Sequence, residues 1–141
     1  MTASYRVENQ RGRLIEARVL RLLTSEDADA YAAAVIAKAR AVTSNGSPVL
    51  CADHREANIY APAVADRLAL AFVPNNSRFE RIAILVAPEN ATLLMQLQRL
   101  TREAGSNRRR VCLNADEAIE HLAQSLDPSE LERASAFLSG R

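Results

Sequence analysis

Residues 82–87, IAILVA, decide the fold class of this chain. The stretch is short and continuously apolar, and such a strand is typical of a parallel sheet that is covered on both faces. Neighbouring parallel strands must be joined by crossover connections, which are usually helices. The sequence is therefore expected to carry amphipathic helices before and after these residues.

Helical patterns flank this strand on both sides. Before it, Pro62 begins a helix that is expected to end near Phe72, ahead of Pro74, because proline removes a backbone donor and obstructs the preceding turn. After it, a helix begins at Pro88 and ends at Gly105, which can adopt the left-handed conformation. The buried stripe expected on that helix consists of Leu93, Leu97, Leu100 and Ala104.

The alternation of strands and helices continues on either side. Thr24 and Asp27 form a capping box, and a helix of about five turns follows. That helix is expected to stop at the turn SNGSP, residues 44–48. Two more helices are expected after Asn114 and Asp127, because both side chains are good caps for a helix N-terminus.

Four further strands are expected. Residues 4–9 and 13–21 alternate apolar and polar side chains and should pair as an antiparallel hairpin. Residues 48–52 and 110–113 are short apolar strands. The predicted fold is a single α/β domain over residues 1–141, in the order β-β-α-β-α-β-α-β-α-α. Its sheet is mixed and mostly parallel, and an antiparallel hairpin opens it.

The composition argues against several classes of function. The formal net charge of the 141 residues is +1, so no general basic field attracts nucleic acid. The chain has no apolar run of membrane-spanning length, so no membrane span is predicted. The polar N-terminus does not resemble a signal peptide, which favours the cytoplasm.

Cysteine and histidine usage predicts neither a metal site nor a cofactor. Cys51 and Cys112 lie in apolar runs and are expected to be reduced, buried thiols. The chain has two histidines and no CxxC pair. One of these histidines, His121, is expected at the surface of the fourth helix, beside acidic residues.

Asp53, His54 and Arg55 follow the third strand directly. Ligands of open α/β sheets bind at the carboxyl ends of strands, so this position favours contact with a ligand or a partner. No catalytic residue is predicted, because neighbouring residues of an extended chain point in opposite directions and no recognised nucleophile motif lies nearby. The alternative is a structural role, since Asp commonly ends a strand and Arg is common at the surface.

A basic run follows the third helix. Guanidinium groups bind anions through paired donors. Residues of this run and of the preceding helix are therefore candidates for an anion-binding face, namely Arg99, Arg102, Arg108 and Arg109. The alternative is a solvated loop in which Arg102 pairs with a nearby acid.

The order of elements, the opening hairpin and the segment ATLLMQLQRLTREAGSNRRRVCLNADEAIEHL, residues 91–122, resemble the STAS and SpoIIAA-like proteins, small bacterial α/β modules. The resemblance covers residues 4–125, and the helix over residues 127–139 is additional. It implies a non-enzymatic regulatory module that contacts a protein partner through the loop after the third strand. Ile59 and Tyr60 would then join Asp53, His54 and Arg55 in the contact surface.

The resemblance also implies a phosphorylation switch, from which this chain departs. In STAS antagonists a serine in an Asp-Ser-Ser-Gly-like turn is phosphorylated at the start of the helix after the third strand, and the added charge breaks contact with a partner kinase. Asp53 matches the acidic residue that ends the family's third strand. The matching stretch Tyr60-Ala61-Pro62-Ala63, however, has no serine and no glycine. Partner binding without this switch is therefore expected.

Two other functions stay open. The SpoIIAA-like fold resembles that of Sec14-type lipid-binding domains, so the alternative is a carrier of a small apolar or anionic, lipid-like ligand. A carrier should enclose a pocket between the helix from Pro62 and the sheet, whereas a regulator should expose an apolar patch around Ile59 and Tyr60. An enzyme of unknown class would show convergent polar groups with perturbed pKa values in a cleft. A homodimer is also left open.

Overall fold

A computed structural model describes residues 2–42 and 46–140 of the chain. The strands are β1 (Ser4–Arg11), β2 (Leu14–Arg21), β3 (Val49–Asp53), β4 (Arg81–Leu85) and β5 (Arg109–Cys112). The helices are α1 (Ser25–Ala41), α2 (Pro62–Arg78), α3 (Ala91–Ala104), α4 (Ala115–Leu122) and α5 (Pro128–Leu138).

Within the described residues, the strands form one sheet in the order β1-β2-β3-β4-β5. β1 and β2 are antiparallel, and the other neighbours are parallel, which confirms the predicted fold class. Each of α1, α2 and α3 connects two adjacent parallel strands, and crossovers of one hand place all three on the same face of the sheet. Residues from these helices share one apolar core, and α4 and α5 cover a second core on the opposite face.

β4 lies between β3 and β5 and is buried from both faces. Ile82 and Ile84 belong to the core under α1, α2 and α3, whereas Ala83 and Leu85 belong to the core under α4 and α5. This alternation follows from the two-residue period of a strand. The prediction that the apolar stretch is covered on both faces is therefore confirmed.

β2 is covered more completely than its alternating sequence predicts. Ile15, Ala17 and Val19 face the first core, as expected. Glu16 on the opposite face is buried as well, because Arg133 of α5 donates to its carboxylate from Nε and Nη2 at 2.7 and 2.9 Å. The expectation of a half-covered strand is wrong for β2, since α5 supplies the cation that a buried carboxylate needs.

α2 continues through Pro74, so the expected helix end near Phe72 is wrong. Tertiary contacts of the last turn account for the difference. The Asn76 side-chain amide donates to the carbonyl of Ala104 at 2.7 Å. Arg109 donates to Asn76 Oδ1 at 2.8 Å and to the Phe72 carbonyl at 3.2 Å. These contacts hold the last turn in place although Pro74 donates no helical hydrogen bond.

The remaining element boundaries lie within a few residues of the predictions. α1 ends at Ala41, ahead of the predicted turn. Gly46 has a φ of 102°, the positive value expected of glycine in such a turn. Residues 43–45, which include part of that turn, lie outside the described residues. In the described part of the chain, none of the helices combines the length and the apolar character needed to cross a bilayer.

Candidate functional site

Asp53 ends β3 and holds the start of the following loop. Arg55 donates to the Asp53 carboxylate from Nε and Nη2, both at 2.9 Å, and from its backbone N–H at 3.0 Å. Arg18 of β2 lies 3.4 Å from the same carboxylate. Burial of Asp53 opposes its ionisation, but the hydrogen bonds and charge of Arg55, with Arg18, outweigh this and lower the pKa of Asp53 below its usual value.

The two arginines also bind the end of α5. Arg55 Nη2 donates to the Leu138 carbonyl at 2.8 Å, and Arg18 Nη2 donates to the Phe137 carbonyl at 2.6 Å. The guanidinium of Arg18 also lies 4.5 Å from the centre of the Phe137 ring. The carbonyls of a helix C-terminus lack partners within the helix, so these arginines stabilise α5 where it meets the sheet. Asp53 and Arg55 are thus committed to contacts within the chain.

His54 lies on the other face of the sheet from Asp53, as the alternation of an extended chain predicts. It is only 4% exposed, and its Nδ1 shares a hydrogen bond with the Tyr60 hydroxyl at 2.7 Å. The ring of Tyr31 stands edge-on to His54, with ring centres 6.4 Å apart. Burial lowers the pKa of His54 to about 4, against which the charge of Asp53 acts only weakly. His54 is therefore a neutral imidazole at pH 7.

Tyr60 is buried, so the expectation of an exposed aromatic in this loop is wrong. Its side chain is 5% exposed and completes the first core beside His54. The side-chain amide of Gln96 on α3 accepts from the Tyr60 backbone N–H and donates to its carbonyl, both at 2.9 Å. The hydroxyl is satisfied by His54, so burial leaves no unpaired polar group. Ile59 next to it is 56% exposed, as expected of a contact residue.

A cavity of about 30 Å³ lies between α1, α2 and the sheet. Its position is the one expected of a ligand carrier. Most of its walls are apolar, and polar or ionisable side chains also line it. The lining includes Tyr31 and Val35 of α1, Leu68 and Phe72 of α2, Leu50 and Ala52 of β3, Ile82 and Ile84 of β4, His54 and Arg109.

The four arginines predicted to form an anion-binding face do not come together on one face. Arg99 is exposed and lies 3.7 Å from Glu103, and Arg102 and Arg108 are also exposed. Arg109 is only 5% exposed and lines the cavity. Residues 108 and 109 separate because β5 begins at Arg109, and side chains that follow one another along an extended chain point to opposite faces.

His121 is buried, so its expected surface position is wrong. Its Nε2 lies 3.0 Å from the Arg108 carbonyl, and α4 turns this residue towards the sheet together with Ala118 and Leu122. Burial lowers the pKa of His121, although the hydrogen bond that its ring donates to the Arg108 carbonyl partly opposes this. The imidazole thus serves as a neutral partner for a backbone carbonyl.

The thiols do not form a reactive centre. Cys51 and Cys112 are both free and fully buried, as predicted. Burial raises the pKa of Cys112 to about 11 and that of Cys51 further, so neither is a thiolate at neutral pH. Across residues 2–42 and 46–140, no three His, Cys, Asp or Glu side chains are grouped so that they could hold a metal ion.

Sequence reasoning missed two features of this site. The His54–Tyr60 pair joins residues six apart across an irregular loop, where no periodicity signals a contact. The burial of Arg109 has a signal in the sequence, because Arg109 and Val111 are two residues apart and Val111 packs on the first core. Beginning β5 one residue earlier than predicted would have placed Arg109 on that same face.

No protein-family model matches this chain, and no curated protein matches its sequence. The resemblance to the STAS and SpoIIAA-like proteins therefore stays a prediction.

Proposed function

We propose that this chain is a non-enzymatic binding module, related to the STAS and SpoIIAA-like proteins, that holds a small apolar ligand between α1, α2 and the sheet. The observation that carries the proposal is the cavity between these elements, whose walls are mostly the apolar side chains of the first core. Small-molecule sites are concave and mostly apolar, with few polar groups. The buried, unpaired thiols are consistent with a reducing compartment such as the cytoplasm.

The chemistry around the cavity supports binding rather than catalysis. His54 is neutral, and its Nδ1 is committed to Tyr60. Burial raises the pKa values of Tyr31 and Tyr60 above their usual value, so both keep their protons. A general base near pH 7 needs a pKa close to that pH, and the pKa of His54 lies well below it. His54, Tyr31 and Tyr60 thus form a neutral part of this region, with none of the three poised to exchange a proton near pH 7.

The size of the cavity limits the ligand. A volume of about 30 Å³ holds only a few atoms. A larger ligand requires α1 and α2 to separate along the seam where half-buried Ala32 and Ala71 line the cavity. Across this pair of helices, Arg67 donates to Asp29 at 2.9 and 3.0 Å. An exposed ion pair of this kind adds little stability and weakens with salt, so it does not prevent opening.

Short primary alcohols, from ethanol to hexanol, are expected to bind in this cavity and to shift the backbone amide resonances of its lining residues saturably. Apolar ligands of this size bind weakly, with affinities of roughly millimolar order. Replacing Ala71 by Val adds two methyl groups to the cavity wall and should abolish the shifts. The measurement is a titration followed by two-dimensional NMR on labelled protein.

The matched control for this titration is Ala63→Val, at an exposed alanine near the start of α2. It introduces the same helix-propensity change outside the cavity and should leave the titration unchanged. If the alcohols produce no saturable shifts at lining residues, or if Ala71→Val binds them as well as the wild type, the cavity is not a ligand site.

A second candidate function is the contact with a protein partner at the loop after β3. The observation that favours it is Ile59, a large apolar side chain that is 56% exposed beside the start of α2. The N-cap of α2, Ala61, makes no side-chain hydrogen bond, and the first turn carries no acidic residue. The free amides and the helix dipole would favour an acidic segment of the partner, with Ile59 adding apolar contact.

A photo-crosslinking amino acid at position 59 should capture a discrete protein from an extract of the source cells, with the crosslink in an Asp- or Glu-rich segment. Val73, equally exposed at 56% near the other end of α2, is the matched control position and should not capture it. The substitution Ile59→Asp should weaken the affinity for this partner by at least about tenfold, because it replaces an apolar contact with a carboxylate that the acidic segment of the partner repels. Equal capture at both positions, or unchanged binding by Ile59→Asp, would place the interface elsewhere.

A further inference from the structure

Arg109 is a buried cation for which no counter-ion is found among the described residues. Its side chain is 5% exposed, and none of the described carboxylates lies within ion-pair distance of it. Burial alone lowers the pKa of Arg109 to about 10, so the group keeps its charge at neutral pH. A buried charge without an opposite charge is strongly unfavourable, and proteins normally pair it. An uncompensated guanidinium in a cavity wall therefore points to an anion from outside the chain.

The hydrogen bonds of Arg109 leave part of its donor set unused. Nη1 donates to Asn76 Oδ1 at 2.8 Å and Nη2 donates to the Phe72 carbonyl at 3.2 Å, both neutral acceptors. Nε has no partner although it is fully buried. The guanidinium lies 4.2 Å from the centre of the Phe72 ring, which fixes its plane. An oxyanion is the acceptor that such a fork of N–H donors binds best.

The register of the sheet places Arg109 at one end of the cavity. Arg109 pairs with Ile82, which in turn pairs with Leu50 near the beginning of β3. His54 follows the end of β3, so it lines the opposite end. Apolar side chains of β3 and β4 lie between the two, over a distance of a few residues at about 3.3 Å each. The cavity therefore runs from a cationic end along an apolar floor to a neutral imidazole.

We infer that Arg109 binds the carboxylate of a short-chain carboxylic acid whose hydrocarbon part lies along the cavity towards His54. This inference rests on the proposed function, since it requires the cavity to be a ligand site, and it adds the chemical class of the ligand. The size of the cavity favours acids of a few carbons, and longer chains bind only when α1 and α2 separate. Arg109 supplies the charge-assisted hydrogen bonds, and the first core supplies the apolar contact.

The test compares propanoate with propanamide, its neutral isostere, at pH 7.5 by NMR titration of the wild-type protein. Propanoate should bind at least about tenfold more tightly, because a hydrogen bond to a charged group is stronger than one between neutral groups. Arg109→Met should abolish this preference while propanamide still binds. Arg109→Lys should keep part of it, since it retains the charge but loses the planar fork of donors.

Arg108→Met is the matched control, because Arg108 is the exposed neighbour of Arg109, and it should leave the preference intact. Equal binding of propanoate and propanamide by the wild type would overturn the role of Arg109 while leaving the cavity a ligand site. If neither propanoate nor propanamide nor the alcohols bind, the proposed function itself fails. The comparison of propanoate with propanamide on the wild-type protein tests the role of Arg109 even if Arg109→Met does not fold. A folded Arg109→Met that retains the full preference would also overturn the assignment.

Discussion

Replacing Leu85 by Ala is expected to lower the free energy of unfolding by about 2 to 5 kcal/mol. Leu85 is 0% exposed and belongs to the core under α4 and α5. β4 is flanked by strands on both sides, so the surrounding backbone has little freedom to close the space that the removed atoms leave. Ile84→Ala should have a similar cost on the opposite face, because Ile84 belongs to the other core.

Urea denaturation followed by circular dichroism measures both changes, and single-domain proteins of this size commonly unfold in one transition. Val73→Ala is the control. Val73 is exposed on α2, so this substitution should lower the free energy of unfolding by less than about 1 kcal/mol. Losses below about 1 kcal/mol for both Leu85→Ala and Ile84→Ala would contradict a central strand covered on both faces. Domains of this kind are stable by only about 5 to 15 kcal/mol, so either substitution removes a large share of the total.

The fold could be predicted because local signals and tertiary structure agree along most of the chain. The alternation in β2 indicates a strand, the short length of the apolar run in β4 favours a strand over a helix, and Asn114 and Asp127 are good helix caps. In the structure, the Asn114 and Asp127 side chains accept from the backbone N–H groups of the third residue of α4 and of α5. The mixed, mostly parallel sheet with an antiparallel hairpin follows from these elements.

Pro74 and Glu16 show where this reasoning fails. Local propensity places proline at helix ends and a glutamate of an alternating strand in solvent. Residues far along the chain override this propensity. Arg109 holds the last turn of α2 beyond Pro74, and Arg133 binds the buried carboxylate of Glu16. A single sequence does not reveal which distant cation arrives at such a position.

The sequence does not reveal the direction of the side chains in the loop after β3. The loop after β3 does carry an ordered group of polar residues, but Asp53 and Arg55 are directed to α5 and His54 to the first core. Tyr60 was expected outside because it follows exposed Ile59. The hydroxyl finds its partner in His54, and this contact permits burial of a polar aromatic. His54 of this loop therefore lines the cavity between α1, α2 and the sheet, whereas Asp53 and Arg55 contact α5.

Acidification from pH 6.5 to pH 4 is expected to remove about 3 kcal/mol of stability through His54. Its pKa is about 4 in the folded protein and 6.5 in an unfolded chain. A group whose pKa is depressed by folding binds protons more readily when unfolded. The contribution is therefore fully present above pH 6.5 and is lost as the pH falls towards 4. The hydroxyls of Tyr31 and Tyr60 do not titrate in this window, because burial raises their pKa values.

The substitution His54→Asn isolates this contribution, because Asn is uncharged throughout and places a polar atom near the position of Nδ1. Its unfolding free energy, measured at several pH values, should depend on pH much less than that of the wild type. His121→Gln is the control, since the pKa of His121 is also lowered by folding and a smaller change in slope is expected from it. Asp53 also loses stability as the pH falls towards its unfolded pKa of 3.8, but His54→Asn leaves this loss in place, so the difference between the two profiles reports His54. Parallel pH profiles for the wild type and His54→Asn would mean that His54 is already accessible to protons in the folded state. In that case the neutral end of the cavity at His54, and with it the proposed orientation of a carboxylate away from His54, would have to be abandoned.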